Sequence, residues 1–202
     1  MRIFDAVAQN VKTWLGEPDK IFQATQSYPE ISSNFSALVY QRENHYIVHS
    51  LGASEYSIPG SEKAFNRPGG SSNEYIFHAS KDNLDGTLDL LIKISRYPYI
   101  ANLFIYSGMA FPIDETLIGR GDSTTLNYIY LTDPYEDDPS LYSDSPNGQI
   151  SLENRLIFTL WAIPIYEQEY QFLRHNGAQD FDKLLGQQGI KAHDLHRKLI
   201  VV

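Results

Sequence analysis

Apolar positions along this chain fall at helical spacing in some stretches and in short β-rich runs in others. Over residues 2–15, Phe4, Val7, Val11 and Trp14 fall on one face of a helix. Gly16 and Pro18 close it, and a second short helix is expected over 18–25. Residues 28–34 read as loop. Two β-rich runs, 37–41 and 46–51, are separated by four polar residues and predict a strand pair. The stretch 52–73 contains Pro59, Gly60, Pro68, Gly69 and Gly70 and reads as one long loop, a kind of segment that often carries function. A strand over 74–80 follows. Asp85, Gly86 and Thr87 then open a helix whose apolar residues are Leu88, Leu91, Ile92 and Ile94, and which should stop near Tyr97 and Pro98. Strands are expected over 102–111 and 124–131.

The last third has the clearest pattern. Residues 156–163 are almost wholly apolar, short and rich in β-branched and aromatic side chains, which predicts a strand covered on both faces and central in a sheet. Pro164 should end it, because proline has no backbone N–H and holds the preceding residue extended. Tyr166, Tyr170 and Leu173 then sit at i, i+4 and i+7. Glu167 and Glu169 lie in the first turn of that helix, and Arg174 and His175 in the last, an order that complements the helix dipole. Gly177 suits the position after the helix. A short helix near 180–185 offers Phe181, Leu184 and Leu185 to the core. The segment from residue 190 on reads as either a last helix or a strand on the sheet edge. Helices around five or six strands, with no long linker and no repeat, make an α+β domain over residues 1–202.

Composition narrows the function. The chain has 202 residues, 42% of them hydrophobic, which is enough for a sizeable core. It has no cysteine, so disulfides, thiolate metal sites and cysteine nucleophiles are excluded. No apolar run is long enough for a membrane span, and the first residues lack the apolar stretch of a signal peptide, so a cytoplasmic location is expected. The net charge of −9 argues against non-specific nucleic-acid binding. All of it lies in one stretch. Residues 107–173 hold 11 acidic and 2 basic residues, a difference of −9; the remainder holds 14 of each.

No motif assembles a catalytic or cofactor site. His45 and His49 are four apart, but on a strand that places them about 13 Å from each other, too far to share an ion. His193 and His196 suit a helix pair without a third ligand nearby. Neither a nucleophile elbow nor a phosphate-binding glycine loop is present. Glu167 and Glu169 are explained by their place in a first helical turn. We therefore expect no cofactor and no metal. The acidic loop 132–148 remains, with Asp133, Tyr135, Glu136, Asp137, Asp138, Tyr142 and Asp144. Its acidic spacing fits no calcium loop. It can steer a basic protein partner, with its tyrosines as contact residues.

Four motifs in order resemble the suppressor-of-fused (SUFU-like) family. They are HYIVHSLGASE from His45, EYIFHAS from Glu74, LDLLIKISRYP from Leu88 and TLWAIPIYEQE from Thr159, and the resemblance spans residues 37–185. The family often has Gly-His where this chain has Gly108-Met109, so no role of that histidine transfers. The resemblance implies a mixed, largely antiparallel sheet flanked by helices, and a non-catalytic protein-binding role. The bacterial members that this single domain resembles imply an immunity-like protein that binds and neutralises a cognate toxin. A regulatory adaptor sequestering an endogenous protein is the alternative, and a hydrolase with a site near the 52–73 loop is the third.

Overall fold

The structure, a computed structural model, describes residues 2–112, 126–134, 148–188 and 197–200. Eight strands form one mixed sheet. They are β1 (Lys20–Gln23), β2 (Ser36–Gln41), β3 (His45–Leu51), β4 (Ser71–Ser80), β5 (Ala110–Pro112), β6 (Tyr128–Thr132), β7 (Gln149–Ser151) and β8 (Leu156–Ile165). Their order is β1-β2-β3-β4-β8-β6-β5, with β7 also paired to β8. Only β4 and β8 run parallel; every other pairing is antiparallel. The apolar run of β8 is thus central, as its composition requires.

Helices cover both faces. On one, Leu90, Leu91 and Ile94 of α3 (Leu84–Ile100) pack over Val39, Val48, Phe77, Leu131 and Leu160. On the other, Val7, Val11 and Trp14 of α1 (Ile3–Leu15) pack over Leu38, Ile47, Ile76 and Ile157. Beside α1 on that face, Leu173 of α4 (Glu167–Asn176) and Phe181 and Leu185 of α5 (Ala178–Gln188) pack on Tyr130, Ile163 and Ile165. Alternate residues of β8 therefore serve opposite layers. Each such buried aliphatic side chain contributes about 1.5–3 kcal/mol.

Several elements depart from the sequence reading. Residues 20–23 form the edge strand β1, not a helix. A helix this short has no stability of its own, whereas the edge of β2 offers hydrogen bonds, and Asp19 adds its N–H to Val39 O at 2.9 Å and takes the Gln41 N–H at 2.6 Å. Helix α3 continues past Pro98 to Ile100. Proline removes only its own N–H, and the carbonyls of Tyr97 and Tyr99 still receive Ala101 and Asn102.

Pro164 does not end β8 either; it pairs with Ile129 of β6. Pairing with β4 stops at Trp161, so the flank on which proline lacks a donor is free of a strand there. Arg197 takes that flank, its Nη2 donating to Pro164 O at 3.0 Å.

The expected strand over 102–111 shrinks to Ala110–Pro112, because Asn102 (φ 49°) and Gly108 (φ 93°) turn the backbone out of the extended region. The 52–73 loop is largely folded. It holds a 3-10 turn, Ala53–Glu55, and the short α2 (Ser61–Phe65), and its end already belongs to β4. Of the C-terminal segment, residues 197–200 are neither helix nor strand.

Candidate functional site: an aromatic cleft with an acidic mouth

Two polar anchors shape the 52–73 segment. The first is Glu74, fully buried on β4. Its carboxylate accepts the backbone N–H groups of Gly52 (3.1 Å), Ala53 (3.3 Å) and Ser54 (3.0 Å), the Ser54 hydroxyl (2.6 Å) and the Ser50 hydroxyl. Gly52 has φ 104°, and a side chain there would press on Ser32 and the Phe35 backbone. Burial pushes the Glu74 carboxyl above its ordinary value, while the hydrogen bonds from Ser50, Ser54 and Gly52 act in the opposite sense. The second anchor is Arg155, which donates to Gly69 O (3.0 Å) and Glu55 O (2.9 Å). Together they fix both ends of the segment over the start of β4 and β8.

Further along, Ser61 opens α2 and exchanges hydrogen bonds with Ser71, from its hydroxyl to Ser71 O (3.2 Å) and from Ser71 N–H to its hydroxyl (2.9 Å). Gly70 has φ 60°, and an added Cβ would come within 2.3 Å of Ser61 Oγ, so only glycine admits this contact. The result presents Phe65 at the end of α2 toward Phe158 of β8, with ring centroids 5.4 Å apart.

The segment leaving α3 closes the site. Ile105 is buried, and its carbonyl receives the Asn73 side-chain amide at 3.2 Å. Gly108 N–H donates to Leu131 O (2.7 Å) and Leu131 N–H to Met109 O (2.8 Å), so the segment is tied to β6 without a regular ladder. Phe104 meets Phe65 edge-on at 5.9 Å, and Tyr106 lies 5.4 Å from Phe104. Ile100 at the end of α3, and Leu103 and Tyr106 on this segment, are exposed.

These elements enclose a cleft of about 230 Å3, lined by Phe65, Phe104, Tyr106 and Phe158, by Ile105 and Leu160, and by the polar Ser71, Asn73, Ser107 and Asp133. Asp133 is the only ionisable carboxylate among these residues, and no histidine or basic side chain is among them. Partial burial pushes its carboxyl above the ordinary value, a hydrogen bond from Ser107 opposes this, and the negative charge of Asp182 adds to the rise. Asp182 on α5 accepts from Tyr130 Oη (2.7 Å) and Thr132 Oγ1 (3.2 Å), which holds it beside β6.

Of the seven residues expected to contact a partner, the structure places Asp133 at this cleft. Tyr135, Glu136, Asp137, Asp138, Tyr142 and Asp144 lie outside the described residues, as do His193 and His196. Among the described residues no cluster of three or more His, Asp or Glu could hold a metal ion. His49 is fully buried and bonded through Nδ1 to Ser50 O, and His45 stacks on His78 at 4.9 Å. Glu169 does more than complement a helix dipole: it accepts the Tyr166 N–H (2.9 Å) and both terminal nitrogens of Arg197 (2.7 and 2.6 Å). The cleft aromatics were missed in the sequence. Phe65 and Phe158 are 93 positions apart, and Phe104 and Tyr106 sat in what read as a strand. The only signal was the long 52–73 loop.

Comparison with known proteins follows the same fold. The model of the family "Suppressor of fused protein (SUFU)" matches residues 32–198. The chain belongs to the suppressor of fused family. This is a family of non-enzymatic protein-interaction domains. Among solved structures, a SUFU homolog from Neisseria gonorrhoeae FA 1090 superposes with a TM-score of 0.69 at 14% identity, over 98% of this chain and 96% of that one. A chain of the Sufu–Fu complex gives 0.63 at 17% identity, over 92% and 82%. Drosophila Suppressor of Fused gives 0.63 at 16% identity, over 92% of this chain and 46% of that one. No curated protein matches the sequence. No helix among the described residues is long and apolar enough to cross a membrane.

Proposed function

We propose that this chain is a protein-binding domain that docks its partner on the aromatic cleft and on the acidic stretch that follows Asp133 in sequence, and that the partner is a basic toxin domain which it neutralises, in the cytoplasm, as an immunity-like protein. The observation that carries the binding reading is the cleft itself: four aromatic rings in a concave, partly exposed site with a carboxylate at the mouth. Apolar aromatic surface held open by polar anchors is what a binding hot spot needs. The charge distribution supports a basic partner, since residues 107–173 carry 11 acidic and 2 basic side chains. The roles of Asp133, Tyr135, Glu136, Asp137, Asp138, Tyr142 and Asp144 in contacting that partner are part of the same proposal.

The test is binding of, and protection against, the product of the neighbouring gene. We expect Phe104→Ala and Tyr106→Ala each to weaken the complex by about 10- to 100-fold, the range of a hot-spot truncation, measured by calorimetry on proteins with unchanged melting temperatures. Full affinity in both variants would remove the cleft from the interface. A regulatory adaptor is the second reading, favoured by the likeness to a chain of the Sufu–Fu complex. Capture from the host of a stable endogenous partner, with no protection against any toxin, would select it.

A further inference from the structure

We propose that the cleft is a receptor for one arginine side chain of the partner, its guanidinium lying against the aromatic rings and forked onto Asp133. The inference rests on the protein-binding reading above and specifies what enters the site.

Three features converge on a planar cation. The rings of Phe65, Phe104, Tyr106 and Phe158 form a continuous wall, each within 5.4–5.9 Å of the next. Such faces attract a cation through their quadrupoles, and more strongly when it is shielded from water. No basic side chain lines the cleft among the described residues, so its electrostatics are uncompensated from within. Asp133 at the mouth is partly desolvated and feels the like charge of Asp182, which a cation seated between ring wall and carboxylate would relieve.

Arginine fits better than the alternatives. A purely apolar anchor would leave the Asp133 carboxylate without a cationic counterpart in the cleft. A lysine ammonium is strongly hydrated and cannot stack. A guanidinium is planar, weakly hydrated and able to offer two parallel N–H groups to one carboxylate. Its aliphatic stem would lie along Ile105 and Leu160.

The experiment uses isotope-labelled protein and three probes: N-acetyl-arginine methylamide, the lysine equivalent and the norleucine equivalent. Amide signals of Asn73, Ile105, Tyr106 and Ser107 are followed during titration. Saturable shifts confined to these residues are expected with the arginine probe, with at least about three-fold weaker binding of the lysine probe and no saturation by norleucine. Asp133→Asn, at an exposed position, should weaken arginine binding by about three-fold or more without changing the melting temperature, and Phe104→Leu should do the same by removing a ring. Equal binding of the norleucine probe, or no localised shift with arginine, overturns the inference. Either result leaves the protein-binding reading to stand or fall on the partner-capture experiment, and a cleft that binds arginine while no protein partner is found would sink that reading instead.

Discussion

His49 shows what a single side chain contributes here. It is fully buried on β3 and its Nδ1 bonds to the Ser50 carbonyl. Burial pulls its pKa down from 6.5 to about 4, against a smaller upward effect of that hydrogen bond. The folded protein therefore keeps His49 neutral while the unfolded chain takes up a proton below about pH 6.5. Its contribution is full above that value and is lost as pH falls toward 4, by at most about 3 kcal/mol. Glu74 acts in the opposite direction: its raised pKa favours the folded state as pH falls. The His49 effect is isolated by comparing denaturant unfolding of the protein and His49→Leu between pH 7 and pH 4. The variant should lose less stability over that interval than the parent, whatever its absolute stability. Parallel pH curves would show that His49 is not the titrating group.

At the scale of elements, the junction between β8, α4 and the C-terminal strap is held by one ion pair. Arg197 and Glu169 are both buried and share two hydrogen bonds, and Glu169 also accepts the N–H groups of Tyr166 at 2.9 Å and Ile200 at 3.1 Å. The pair also makes Pro164 tolerable, because Arg197 satisfies the carbonyl on the flank that β4 leaves empty. Removing one member strands a buried charge. Arg197→Met alone should cost about 3–5 kcal/mol, whereas combining it with Glu169→Leu should recover a substantial part. Thermal unfolding of the two variants checks this; equal losses in both would mean that the pair does not act as a unit. The short elements follow the same logic. α2 and the 3-10 turn are too short to persist alone, and they exist because Glu74, Arg155 and Ser71 supply their hydrogen bonds from outside.

For the whole molecule, the decisive quantity is the segregation of charge. A chain with 25 acidic and 16 basic residues has an ordinary imbalance, but all nine excess charges fall in one third of the sequence, and a directed field from them is part of the proposed attraction of a basic partner. If this field steers a basic partner, replacing Asp133, Glu136, Asp137 and Asp138 by their amides should slow association and flatten its dependence on ionic strength, with dissociation changed less. Stopped-flow association rates at two salt concentrations measure it. Unchanged rates would take the acidic stretch out of the encounter.

Some of this was legible in the sequence because it depends on local pattern. The amphipathic face of α1, the β-rich runs of β2 and β3, the apolar run of β8 and the Gly177 stop of α4 each follow from neighbours within a few residues. The apolar composition of β8 also indicated the sheet's centre, and four motifs in order resembled the family. What tertiary structure alone decided involved partners far along the chain. Residues 20–23 became a strand because β2 offered an edge. Pro164 stayed in β8 because Arg197 stood where a strand did not. Phe65, Phe104, Tyr106 and Phe158 became one cleft because Glu74, Asn73 and Arg155 pinned separate segments together. Periodicity encodes which face of an element is buried; it carries no term for which distant element will lie opposite, and the binding site is made of such juxtapositions.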